Sequence, residues 1–170
     1  LIQKTDIENI KLQIHPHFLV NGINSISAMI DMNRYDAAKE MCAYLAEYYR
    51  YQFQHTDGMV PLYDEVKQVN LFMIIQKMRH PGKLECFTEA DDACMSVQVP
   101  PFAVLTFVNN SIKYGMNLMT FKTNISIKIC KIDDGARITI RDDGPGFTEE
   151  VLKCLDQRVP IYQKGRECIG

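Results

Sequence analysis

Three short stretches gather residues that can do chemistry. The first is "ITIRDDGPGF", residues 138–147. Alternation at period two puts Ile138, Ile140 and Asp142 on one face of a strand. An ionised carboxylate on an apolar face is costly unless donors reach it. Gly144 and Gly146 follow at once, and glycines allow positive φ and close approach of a ligand to the backbone. A carboxylate on the floor of a pocket beside such a turn can accept from the exocyclic amine of a purine. The same residues also suit a hairpin turn in which the Asp bonds its own backbone, and both readings stay open on this stretch alone.

The second stretch is "LTFVNNSIKYG", residues 105–115. Val104, Leu105, Val108 and Ile112 give a helix its apolar face. Thr106, Asn110 and Lys113 fall at i, i+4 and i+7, a polar stripe on that helix. An Asn amide oxygen can ligate a hard cation, and a Lys ammonium can meet phosphate as a point charge. A solvated helix face is the alternative.

The third is "LQIHPHFLVNGIN", residues 12–24, where two histidines bracket a proline in helix-like sequence. On an ideal wheel Leu12, Leu19, Ile23, Ile26 and Ile30 form one stripe. His17, Asn21 and Asn24 lie together on the opposite side, and His15 lies nearer the stripe. His17 is therefore expected to be exposed and His15 structural. Pro16 removes one backbone N–H and frees the Leu12 carbonyl, which should bend the helix beside His17. A kink that serves packing alone fits the same residues.

The elements that must position these stretches follow from periodicity. Helices are expected over 5–31, 34–54 and 62–79. Asn33 can cap the second, where Ala37, Met41, Leu45, Tyr48 and Gln52 run at helical spacing. "HTDG" at 55–58 is a break, and Val66, Val69, Phe72 and Met73 mark the apolar side of the third helix. "KLECFTE" and "CMSVQV" read as short strands around the turn-like "ADDA". A helix over "PPFAVLTFVNNSIKYG" starts at a proline pair and stops at a glycine. "NISIKICKI" and "ARITIRDDGPGF" alternate on either side of "DDG". Three helices followed by strand, strand, helix, strand, strand give an α+β chain: a helical dimerisation-type element, then an α+β layer.

The 170 residues suit one domain with an added element, or two small units. Net charge is −2 with both signs interspersed, and no basic stripe recommends a nucleic-acid partner. No apolar run reaches membrane-spanning length and no signal peptide is visible. Cysteines 42, 86, 94, 130, 154 and 168 form no Cys-x-x-Cys pair, so free thiols in a reducing compartment are expected rather than a zinc site or disulfides. The chain opens without Met in helix-like sequence and stops at "RECIG", as a piece of a larger protein would.

Taken together, an Asn-bearing helix, a hairpin and Asp-x-Gly-x-Gly follow the order of the Bergerat (GHKL-type) ATP-binding α/β sandwich. "VNNSIKYG" resembles the N box of sensor histidine kinases, and "DDGPG" resembles their Asp-x-Gly-x-Gly box. "LQIHPHFLVNGINSI", with the tyrosine-rich "YLAEYYRY", resembles the phosphoacceptor segment Gln-x-x-Pro-His-Phe-x-x-Asn of the LytS-like kinases. "VPLYDEVKQVNLFMIIQKMRH" and "VQVPPFAV" fit that family too, so the resemblance covers nearly the whole chain. It implies that residues 1–56 are a helical dimerisation and phosphoacceptor region, and 60–170 an ATP-binding catalytic domain with an incomplete end. It implies His17 as the phosphorylated histidine, Asn110 as the magnesium-binding asparagine and Asp142 as the adenine-reading aspartate. Lys113, Gly144 and Gly146 join the nucleotide site. ATP and Mg2+ are the implied cofactors, and a second copy and a response-regulator receiver domain the implied partners. The location implied is the cytoplasmic portion of an inner-membrane sensor, reaching the membrane only through segments outside this stretch.

The chain departs from that family's pattern at several positions. Asn109 stands where Glu is usual, Leu105 and Thr106 where Gln-Pro is usual, Tyr114 where His is common and Asp143 where Asn is common. If "CIG" is the last glycine-rich motif, Cys168 takes its first Gly position. Phe18 follows His17, so no adjacent carboxylate can serve as a base. Two alternatives remain: a catalytically weak or inactive kinase-like dimeric scaffold, and a gyrase- or chaperone-type ATPase. The second places a carboxylate base where this chain has Thr106.

Overall fold

The structure is a computed structural model that describes residues 16–54, 58–115, 122–147, 149, 152–153, 161–163 and 166–168. Helix α1 (Pro16–Asp31) and helix α2 (Tyr35–Gln54) form an antiparallel hairpin. Strand β1 (Val60–Pro61) leads into helix α3 (Leu62–Arg79), then strand β2 (Leu84–Ala90), strand β3 (Gln98–Val99) and helix α4 (Ala103–Gly115). The hairpin of β4 (Thr123–Ile132) and β5 (Gly135–Asp142) follows, and β6 (Ile161–Gln163) pairs with β7 (Arg166–Cys168). This mixture of helices and sheets agrees with the α+β reading. The expected helix over 5–15, with Leu12, His15 and the kink beside Pro16, lies outside the described residues.

One turn differs from expectation. Asn33 does not cap α2; it ends α1. Its φ is +57, the left-handed region that Asn tolerates. Asn33 N–H donates to Ile30 at 2.9 Å and Arg34 N–H to Met29 at 2.8 Å, the paired bonds of a Schellman ending. The Asn33 side-chain oxygen takes the Tyr35 hydroxyl at 2.9 Å, and the Arg34 carbonyl begins α2.

The hairpin buries Phe18, Gly22 and Met29 of α1 against Ala38, Met41, Leu45, Tyr48 and Tyr49 of α2. A Cβ at Gly22 would meet Leu45 Cδ1 at 2.7 Å, so the Leu45 side chain packs directly over Gly22. The neighbouring line of α1 stays outside: Leu19, Ile23 and Ile30 are 37%, 54% and 46% exposed. Among the described residues nothing covers that apolar stripe.

Phe18 anchors α1 to the rest of the fold. Its ring lies 4.9 Å from Tyr48 and 5.1 Å from Phe72 of α3, with the Arg79 guanidinium 5.6 Å above it. Burial lowers the Arg79 pKa from its usual value, and a cation stacked on an aromatic face recovers part of that cost.

The three-stranded sheet runs β2-β4-β5, with β2 parallel and β5 antiparallel to β4. Ile125, Ile127 and Ile129 are buried on one face, where α3 and α4 pack, while Asn124, Ser126 and Lys128 point outward. "KLECFTE" and the end of "CMSVQV" form strands β2 and β3, as their sequences suggest, and the two strands belong to different sheets. Asp92–Cys94 form a single 3-10 turn, and Gln98–Val99 leave to pair with β1. The physical reason is the start of α3. Leu62 N–H donates to Val97 and Tyr63 N–H to Met95, at 2.8 and 2.9 Å, so this segment satisfies donors the helix cannot.

Asp143 clasps the sheet at its open end. Its carboxylate accepts Asn124 N–H at 2.8 Å and the Asn124 side-chain amide at 2.6 Å. These bonds hold the Asp143 carboxyl below its usual range. The charged form is favoured on folding, so the clasp is intact above the ordinary carboxylate range and is lost as pH falls through the lowered value. Asp143→Asn cannot titrate. The melting-temperature gap between wild type and this variant is therefore expected to shrink below about pH 4. A gap that does not change with pH contradicts this account.

Candidate functional site

Asp142 ends β5 opposite Ile125, in line with Ile140 opposite Ile127 and Ile138 opposite Ile129. The parity read from the sequence is therefore correct: Asp142 leaves the sheet on its helix-covered side. The carboxylate itself is exposed, at the edge of that layer. Its Oδ1 accepts Gly144 N–H at 3.1 Å. The turn reading of "DDGPG" is what the structure shows: the Asp bonds its own turn through Oδ1.

The two glycines do different work. A Cβ on Gly144 would stand 2.5 Å from Gly115 Cα, 2.8 Å from Asp142 Oδ1 and 3.2 Å from the Gly115 carbonyl oxygen. No side chain fits there, so Gly144 serves close approach. Gly146 has φ +72 with nothing within 4 Å of a built Cβ, so it serves the left-handed turn. Gly115 is the last residue of α4 and is buried. Its own Cβ would meet Asp142 Oδ1 at 3.2 Å. Thr123 Oγ1 donates to the Gly115 carbonyl at 3.3 Å, tying β4 to the same point.

Helix α4 buries Val104, Leu105, Val108 and Ile112, as its apolar pattern requires. Asn110 is half-buried, and Thr106 and Lys113 are exposed. Asn110 precedes Gly115 by roughly 7 Å along the helix axis. The Lys113 ammonium lies 4.7 Å from the Tyr114 ring centroid, a contact of cation–π type. The Thr106 hydroxyl donates back to the Phe102 carbonyl at 2.8 Å.

His17 is exposed on α1. The Asn21 side-chain amide, one turn on, lies 3.1 Å from its Nδ1 and 3.2 Å from its Nε2. The His17–Asn21 part of the polar stripe is therefore a side-chain pair. Helix α1 packs on α2 and α3, whereas Asp142, Gly144 and Asn110 gather around α4 and β5. The structure thus brings Asp142, Gly144 and Gly115 together, leaves Asn110 and Lys113 further along α4, and sets His17 on a separate helix.

Two contributors escaped the sequence reading. Gly115 was legible only as a helix stop. Glu65 of α3 is fully buried, and its carboxylate accepts Phe102 N–H at 2.7 Å and Val104 N–H at 3.0 Å at the start of α4. Its signal was an acidic residue in line with Leu62, Val69 and Phe72 on the buried side of a helix.

Substitution separates the two glycine roles. Gly144→Ala forces two backbones apart and is expected to lower the unfolding free energy by about 3 kcal/mol, the upper end of the overpacking range. Gly146→Ala costs about 1 kcal/mol from φ alone. Urea denaturation of both variants checks the order, and equal or reversed losses contradict the backbone contact.

Comparison with known proteins divides the chain in two. Residues 5–84 match the family "Histidine kinase", and residues 102–167 match "Histidine kinase-, DNA gyrase B-, and HSP90-like ATPase". The chain is 28% identical over 164 residues to "Sensor protein LytS" of Oceanobacillus iheyensis, covering 96% of this chain and 28% of that protein. It is 30% identical over 153 residues to the protein of that name in Staphylococcus saprophyticus, covering 89% and 26%. "Sensor histidine kinase/phosphatase LytS" of Staphylococcus aureus is 28% identical over 159 residues, covering 92% and 27%. The chain therefore spans little more than a quarter of the length of these relatives. The ATPase-family match over residues 102–167 implies ATP binding. With a histidine kinase region followed by that ATPase region, and LytS proteins similar along most of its length, the chain is similar to the LytS-like sensor histidine kinases.

Proposed function

We propose that this chain is the kinase core of a two-component sensor, in which ATP phosphorylates His17 and the phosphoryl group then passes to an aspartate of a response-regulator receiver domain. The observation that carries the reading is Asp142, held beside the end of α4 by the Gly115–Gly144 contact. A carboxylate fixed there can accept the adenine amino group, and the two glycines keep the wall beside it free of side chains. In this reading residues 1–56 are the dimerisation and phosphoacceptor region and 60–170 the ATP-binding domain.

Asn110 offers an amide oxygen to Mg2+, and Lys113 offers its ammonium to a phosphate. When bound, magnesium neutralises charge developing on the β- and γ-phosphates. Among the described residues no cluster of three or more His, Cys, Asp or Glu side chains could cage a metal ion. A magnesium shared by one amide oxygen, the phosphates and water fits such a donor set.

The transfer step needs a neutral imidazole. A ring nitrogen of His17 forms the new P–N bond with its lone pair while the bond from the γ-phosphorus to the bridging oxygen breaks. ADP leaves with that electron pair, and the ring proton on the other nitrogen passes to solvent. Asn21 orients the ring: its amide can donate to a lone pair or, turned over, accept the ring N–H and fix the tautomer. The acceptor aspartate of the receiver later attacks the same phosphorus, breaking the P–N bond and freeing the imidazole.

The uncovered stripe of Leu19, Ile23 and Ile30 supports a homodimer through α1 and α2. No helix among the described residues is long and apolar enough to cross a membrane. A cytoplasmic position below membrane segments lying outside this stretch agrees with the sensor relatives.

Labelling with γ-phosphate-labelled ATP tests the reading in the full-length protein. His17→Gln is expected to lose the label with folding intact, while His15→Gln retains it, and the label is expected to be acid-labile and base-stable. Loss in His15→Gln with retention in His17→Gln assigns the wrong imidazole. Light scattering of the same protein is expected to give the dimer mass, and a monomer at high concentration sinks the α1–α2 interface.

A further inference from the structure

Arg79 is the last residue of α3 and is half-buried. Its guanidinium rests 5.6 Å from the ring centroid of Phe18, the residue that follows His17 in α1. Arg79 Nη1 donates to Oε1 of the buried Gln76 at 3.0 Å. A guanidinium carries five N–H donors in a fixed fork, so Gln76 leaves most of them available.

What Arg79 lacks is an anion. Lys77 and Lys122 share the Glu85 carboxylate at 3.3 and 3.6 Å, and Lys128 pairs with Glu89 at 3.3 Å. Among the described residues no Asp or Glu pairs with Arg79. Burial lowers its pKa, with no neighbouring carboxylate to oppose that effect. The next residue brings no negative charge either. Burial first, then the Arg79 and Lys83 cations, lower the His80 pKa, which keeps that imidazole neutral at pH 7. A half-buried cation without a counter-ion is costly, and the Phe18 ring recovers only part of the cost.

The place of Arg79 in the fold suggests what the missing anion is. His17 and Phe18 are consecutive, so their Cα atoms are about 3.8 Å apart and their side chains leave α1 about 100° apart. The imidazole is exposed, and the ring beside it carries the guanidinium. A phosphoryl group on His17 brings about two negative charges to that edge of the helix. The planar fork of an arginine matches phosphoryl oxygens two at a time. Pairing there gives the guanidinium its counter-ion and offsets the charge on the phosphoryl oxygens.

We propose that Arg79 is the phosphoryl-binding residue of the phosphoacceptor site, its free N–H groups turning from the Phe18 face to the oxygens of the phosphoryl group on His17. Arg79 forms and breaks no covalent bond and gives up no proton, so it stays charged throughout the transfer. Before transfer, the Phe18 ring and Gln76 hold it ready. This inference rests on the reading of His17 given above, and it adds the group that holds the anion there.

The test uses the full-length protein and two phosphoryl donors. With labelled ATP at saturation, Arg79→Gln is expected to label about tenfold more slowly than wild type, the scale of one lost hydrogen bond between charged groups. Its KM for ATP is expected within about twofold of wild type, because an interaction made only during transfer lowers the rate and not the binding. The second donor is phosphoramidate, which phosphorylates imidazoles without ATP. The signal of phosphorylated His17 is the phosphorus NMR resonance that His17→Gln lacks. Its titration midpoint is expected about 1 pH unit higher in Arg79→Gln than in wild type, because a nearby cation favours the more highly charged phosphoryl group. A clamp that only packs on Phe18 slows labelling and leaves this midpoint where it was, so equal midpoints overturn the proposal. Labelling of Arg79→Gln as fast as wild type overturns it too, as does the lack of any His17 resonance in folded wild type treated with phosphoramidate. Should Arg79→Gln fail to fold, Arg79→Met, which keeps an apolar stem over Phe18, takes its place in both measurements. Should ATP fail to label wild type, the reading of His17 as the ATP-dependent acceptor falls, and the phosphoramidate titration still judges Arg79.

Discussion

The constraint on which the candidate site depends is the contact between two backbones at Gly115 and Gly144. A methyl group on Gly144 would sit 2.5 Å from Gly115 Cα, so the end of α4 and the turn after β5 touch without side chains between them. That contact places Asp142 against the helix that carries Asn110 and Lys113. It also explains why Oδ1 of Asp142 is spent on the turn, where it takes Gly144 N–H. The sheet supports the same point from below, through Thr123 on the Gly115 carbonyl and through Ile125 opposite Asp142.

A second fixed point lies in the hairpin. Phe18 is buried among Tyr48, Tyr49 and Phe72, and this forces His17, one residue earlier, onto the surface. The exposed imidazole is thus a consequence of where its neighbour must go. The apolar line of Leu19, Ile23 and Ile30 is left over once Phe18, Gly22 and Met29 have turned inward. An exposed histidine, an uncovered apolar stripe and a buried line thus come from one helix presenting three faces.

Much of this was legible in the sequence where a single period governed the residues. The parity of Ile138, Ile140 and Asp142 gave the correct face, and Met41, Leu45 and Tyr48 marked the buried line of α2. Asn33 misled because Asn serves both helix starts and left-handed helix ends, and only the geometry of the preceding turn decides between them. The partner of "CMSVQV" was not legible, because it is β1, far back in the chain, and local alternation carries no information on pairing. Gly115 and Glu65 stayed hidden for a related reason. One acts by lacking a side chain where another chain segment passes, and the other takes the N–H of Phe102, 37 residues later, at the start of a helix. Such long-range contacts leave only indirect marks, in Glu65 an acid on an apolar stripe.

The account stands most directly on Asp142 as the group that reads the nucleotide. Calorimetric titration of the full-length protein with a non-hydrolysable ATP analogue and magnesium, in wild type and Asp142→Asn, measures this without requiring turnover. The account predicts binding that weakens by roughly 1–3 kcal/mol in the variant, the scale of a lost hydrogen bond to a charged group. Equal affinity in two folded proteins would contradict it.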